Sequence, residues 1–139
     1  MASFSKFNCF VADLANKVHN LGADTLKVML TNTAPASSNL VKTDISEIAA
    51  GSGYAAGGLS VAIASSSQAG GTYKLLPSAD PVLTATGTVG PFRYAVLYNS
   101  SAASGNLIGW WDRGTSITLA SADTFTVGLD LTNGILQLA

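Results

Sequence analysis

The sequence predicts a mainly β, single-domain protein, an antiparallel β-sandwich or jelly-roll-like barrel with one short N-terminal helix. Three observations lead there. Short apolar runs with strand-like alternation recur about every ten residues from Leu59 to Leu131, separated by Gly, Pro, Ser and Asn. One segment alone, near the start, carries helical periodicity. The chain of 139 residues is long enough for one domain that buries roughly 68% of its unfolded surface.

The helical segment is set by Phe7, Phe10, Val11, Leu14 and Val18, which fall on one stripe and predict a helix over 7–19. Asn8 or Ser5 supplies a cap, Asp13 and Lys17 are spaced to pair, and Gly22 is the expected stop. Residues 1–22 thus read as an arm and helix, and 23–139 as the sandwich. The stripe serves either to pack on the sheet or to dock Phe4, Phe7 and Phe10 on a neighbouring subunit.

The alternation of Leu26, Val28 and Leu30 predicts a strand over 25–31. A helical turn is expected over 43–48, with Asp44 as cap and Glu47 in the capping-box position. The glycines around Tyr54 do not make a phosphate cradle, because no Lys-Ser/Thr follows them. Strands are then expected over 59–64, 72–76, 82–86, 92–99, 107–112, 116–119 and 125–131. In the strand after Pro91, Phe92, Tyr94, Val96 and Tyr98 share one face, and Arg93, Ala95, Leu97 and Asn99 the other, which predicts a central strand. Asn133-Gly134 predicts a terminal hairpin in which Leu131 faces Leu136 and Leu129 faces Leu138.

Apolar residues make up 47% of the sequence and charged residues 11%, against roughly 25% charged in typical soluble domains. The surface must be covered largely by Ser, Thr, Asn, Gly and Ala, and low net charge favours association. The seven Lys and Arg are scattered, which argues against a nucleic-acid partner. No apolar run reaches the ~18 residues of a membrane span, and Asp13 interrupts any N-terminal leader pattern, so synthesis in the cytoplasm without a membrane partner is the expectation.

A catalytic, metal or cofactor site is not expected. His19 is the sole histidine and Cys9 the sole cysteine, and no ligand spacing or nucleophile elbow accompanies them. His19 reads as a helix-end residue with local hydrogen bonds, Cys9 as a small buried hydrophobe, and Asp112 beside Arg113 as a strand-end ion pair. Trp110 and Trp111 are adjacent in a strand, so one is expected in the core and the other at the surface, as an interface anchor or a platform for a sugar ring.

The strings Phe7-Asn8-Cys9-Phe10, Asp24-Thr25-Leu26-Lys27-Val28, Gly53-Tyr54-Ala55-Ala56-Gly57-Gly58, Gly90-Pro91-Phe92-Arg93-Tyr94-Ala95-Val96-Leu97-Tyr98-Asn99 and Ile108-Gly109-Trp110-Trp111-Asp112 together resemble a family of small virion proteins of tailed bacteriophages. The resemblance runs from about Phe4 to Leu138 and carries no catalytic motif. It implies a structural protein, and among such proteins a capsid decoration, or cement, protein on the outer surface of the mature head. Its partners would be the major capsid protein and further copies of itself, as a homotrimer. Phe4, Phe7, Phe10, Arg93 and one of Trp110 or Trp111 would then make the contacts between subunits. A tail or fibre component that binds a host surface glycan is the alternative.

Overall fold

The computed structural model describes residues 2–139. Its largest element is a five-stranded antiparallel sheet in the order β1-β8-β7-β2-β3, formed by β1 (Phe4–Lys6), β2 (Leu26–Thr31), β3 (Leu59–Val61), β7 (Val89–Asn99) and β8 (Leu107–Leu119). A three-stranded sheet runs β10-β5-β4, with β4 Ile63–Ala69, β5 Thr72–Pro77 and β10 Leu136–Leu138. The pair β6 (Val82–Thr84) and β9 (Thr124–Thr126) completes a mainly β, sandwich-like fold with one helix, α1 (Cys9–Ala15).

Strand β7 is central, as its two apolar faces predict, and pairs with β2 and β8. Its alternation is not continuous. The ladder shifts between Phe92 and Tyr94, and this irregularity puts Phe92 in the same core as Ala95 and Leu97, whereas Val96 and Tyr98 enter the opposite one. A second shift beside Leu97 and Tyr98 reorients β8, so that Ile108 and Trp111 join the first core and Leu107 and Trp110 the second. The two separate strands expected over 107–112 and 116–119 are one strand.

Both faces of the large sheet are therefore covered. The first packs Leu26, Val28, Leu30, Ala95 and Leu97 against Phe10, Leu75, Leu83, Val127 and Leu136 from α1 and the smaller sheets. The second packs Phe7, Met29, Val96, Tyr98 and Leu107 with Ile45 from the irregular segment 32–58, a segment that sends Tyr54 and Ile48 to the first core.

Several expectations are corrected. The helix is Cys9–Ala15, not 7–19. Lys17 adopts φ 64°, Lys17 N donates to Leu14 O and Val18 N to Asp13 O, a Schellman-type end reached five residues before Gly22. Val11 is consequently 55% exposed, Asn8 makes no side-chain cap, and Asp13 accepts from Asn106 in place of pairing with Lys17. Phe4–Lys6, expected within an arm, is the edge strand of the main sheet.

The turn over 43–48 is a 3-10 turn at Lys42–Asp44. Asp44 does serve its start, accepting from Leu40 N and Val41 N, but Glu47 bonds Tyr54 Oη and Gly57 N. The terminal hairpin does not form. Asp130 takes Thr132 N and Asn133 N on its side chain and Gly134 N on its carbonyl, and β10 then pairs with β5, Leu136 opposite Leu75. That partner buries Leu136 in the first core, while Leu129, meant to face the returning strand, donates its amide to Asp80 Oδ1 and is buried in the same core. Leu131 is left 47% exposed.

Candidate functional site

The six residues expected at a subunit contact are built into this chain's own architecture. Pairing of β1 with β8 sets Phe4 opposite Trp111 and Ser5 opposite Trp110. The Phe4 ring lies over Gly109, where a Cβ would strike it, and packs on Trp111 with centroids 5.0 Å apart. Phe7 follows the strand and sits 4.5 Å from the Trp110 ring. Trp111 is 8% exposed, Trp110 half-buried, Phe7 fully buried and Phe10 3% exposed.

Phe7 and Phe10 therefore cannot dock on a neighbour as expected. Their rings fill opposite cores of the monomer, because the chain turns between β1 and α1 and sends them to different faces of the sheet. Arg93 is not free to pair across an interface either. Its Nε and Nη2 donate to the two carboxylate oxygens of Asp112 on β8, at 2.7 and 2.8 Å, and its guanidinium lies 5.2 Å from the Tyr94 ring centroid. This fork, with the Gly114 amide, holds the Asp112 carboxyl down at about 2. Asp112 thus pairs with Arg93, not with the adjacent Arg113, whose Nη1 donates to Thr115. Phe4, Arg93 and Trp110 retain partial exposure, Phe4 on the edge strand β1.

His19 is not at a helix end but in a buried polar network. Its Nδ1 is 3.1 Å from Asn99 Nδ2, which also donates to Asp24 Oδ2 at 2.6 Å. Asn99 Oδ1 accepts from Ser101 N and Ala102 N, so its amide nitrogen is the end that faces His19. The imidazole must therefore accept at Nδ1 and carry its proton on Nε2, which has no hydrogen-bond partner and lies 4.0 Å from Asp13 Oδ2. Burial lowers the His19 pKa, against the opposing pull of Asp13 and Asp24. Cys9 Sγ meets the carbonyls of Asn39, Leu40 and Leu107 at 3.6–3.7 Å, and burial raises its pKa. Such a thiol is a poor nucleophile.

A further site has no counterpart in the sequence reading. Lys27 of β2, Lys42 of the 3-10 turn and Tyr98 of β7 converge on Gly57 beside the 100–105 loop, around a cleft of about 510 Å³. The lysines are fifteen positions apart, and no periodicity links them. Asp24 and His19 lie close enough in sequence to suggest a local pair, whereas Asn99 and Asn106 reach the same network only through the β7–β8 ladder. Comparison with protein-family models, with curated proteins and with solved structures gives no match.

Proposed function

We propose that this protein is a structural virion component of a tailed bacteriophage, a capsid decoration protein that binds the outer surface of the mature head and assembles there as a homotrimer. The observation that carries the reading, beside the sequence resemblance, is an open and uncharged sheet edge. Strand β4 pairs on one side only, and its sequence Ile63-Ala-Ser-Ser-Ser-Gln-Ala69 contains no charged residue and no proline. Protein edges that must stay unpaired are usually blunted by Lys, Pro or a cover. Beyond the irregularity between Ile63 and Ser65, the uncharged stretch Ser65–Ala69 suits pairing with another polypeptide.

The mechanism on this reading is mass action. A protein that binds the expanded shell better than its precursor stabilises the expanded state by the difference in binding free energy, multiplied over many copies. The contacts per copy can then be modest, as a sparsely charged Ser/Thr/Ala surface provides. The partly exposed Phe4 and Trp110 are the aromatic members of this contact surface.

Co-sedimentation of the purified protein with mature heads lacking it, against procapsids, tests the proposal. Saturable binding to mature heads alone, reduced by Ser66→Lys on the β4 edge, is expected. Binding to neither particle overturns the reading.

A further inference from the structure

We infer that the cleft between β2, the Lys42 turn and the 100–105 loop is a binding site for an oxyanion carrying two negative charges, a phosphate group or a dicarboxylate. The inference is independent of the virion role. A Cβ added at Gly57 would stand 3.5 Å from Lys42 Nζ, 4.0 Å from Lys27 Nζ and 3.1 Å from Tyr98 Oη. Both ammonium groups are thus within 4.0 Å of one point, and their separation is at most about the Debye length of ~8 Å at physiological ionic strength. Gly57 is at φ +92° and lacks the side chain that would fill the space between them.

The convergence is not fully neutralised from within. Among the described residues the ion pairs are His19–Asp13 and Arg93–Asp112, so neither lysine has a carboxylate within 4.0 Å. No acidic residue lines the cleft, whose rim carries Ser100 and Ser104. The nearest carboxylate is Glu47, which accepts from Tyr54 Oη and Gly57 N and offsets at most one of the two positive charges, while Asp44 accepts from Leu40 N and Val41 N.

The backbone that carries both cations is held in position. Lys27 is mid-strand, opposite Ser60 on β3 and Tyr98 on β7. Lys42 is tied by its amide to Gly105 O and lies with Nζ 5.4 Å from the Tyr98 ring centroid. Two like charges fixed in a concave site repel each other and focus positive potential. An anion seated between them removes that cost, and a cleft of about 510 Å³ is within the roughly 300–1,000 Å³ of small-molecule sites. Ser100 and Ser104 offer hydroxyl donors to the remaining oxygens.

The test is an amide chemical-shift titration of the full chain with inorganic phosphate and, separately, with succinate, sodium chloride serving as the ionic-strength control. Saturable shifts at Gly57, Ser100 and Gly105 are expected with at least one of the two anions, about tenfold weaker in Lys27→Gln and in Lys42→Gln. Phosphate alone would identify a phosphate ligand, and succinate alone a carboxylate ligand. Without anion, each variant should melt at or above the wild-type temperature, because the repulsion is gone. No saturable shift with either anion, or binding undiminished in both variants, overturns the inference.

Discussion

The two faces of the five-stranded sheet are closed by different means. The first is covered by paired strands and α1, which bring Leu75, Leu83, Leu136 and Phe10 onto Leu26, Val28, Ala95 and Leu97. The second is covered by a segment, 32–58, with little regular structure, over a much smaller set that includes Met29, Val96 and Leu107. What the second face lacks in apolar partners it replaces with specific polar ties. Thr31 Oγ1 donates to Ser46 O, Asp44 fixes the Lys42 turn, and Glu47 links Gly57 to the hydroxyl of Tyr54, whose ring is buried in the first core. A sheet face can thus be sealed either by area or by hydrogen bonds, and the second way leaves concave, polar ground such as the Lys27–Lys42 cleft.

The contrast makes graded predictions. The largest loss is expected from Leu97→Ala in the first core, about 4 kcal/mol by urea unfolding, because paired strands cannot collapse into the cavity; Met29→Ala under the segment 32–58 should cost about 2 kcal/mol. Equal costs would break the comparison. Next is Tyr54→Phe. The Tyr54 hydroxyl accepts from Leu30 N and donates to Glu47, and removing it leaves a buried amide unpaired, a loss of roughly 1–3 kcal/mol. A cost near zero would show that this tie between the segment 32–58 and β2 contributes nothing.

Smaller and conditional is the effect of acid on the His19 network. Its folded pKa is below the ordinary 6.5, so the unfolded chain takes up the proton first. Stability from this group is therefore complete above about pH 6.5 and declines as the pH falls towards the folded pKa. Protonation would also set an Nδ1 donor against the Asn99 amide. Denaturant midpoints measured from pH 7.5 to 5 should fall in the wild type and stay flatter in His19→Gln; parallel curves would remove His19 as the cause. The smallest effect belongs to Arg93–Asp112, whose side chains are 36% and 42% exposed. With the Asp112 pKa held at about 2, any contribution of the pair is complete above the ordinary 3.8 and disappears only as the pH drops through about 2. Asp112→Asn should leave the midpoint at neutral pH almost unchanged.

Much of the strand set was legible from alternation and spacing, and β2, β5 and β7 lie close to their expected positions. Partner choice was not. The Asn133-Gly134 signal is local, yet the strand after it buries Leu136 by pairing with β5 opposite Leu75 and does not fold back on 129–131. The stripe from Phe7 to Val18 was correctly apolar, but Phe7 and Phe10 serve opposite cores. A helical periodicity cannot reveal that, because it assumes one continuous axis. Among the candidate contact residues, the adjacency of Trp110 and Trp111 did predict that they separate to opposite faces. The fork from Arg93 to Asp112 needs the β7–β8 register, which three irregularities shift.

The sequence by itself determined a mainly β protein with one early helix and a sparsely charged surface, because residue period and composition are properties of neighbours along the chain. Which strands pair, which face each aromatic ring enters and where two distant lysines meet were decided by the tertiary structure. Those outcomes depend on ladder register and on competition for buried area, and both exist only once the sheets have closed around the core.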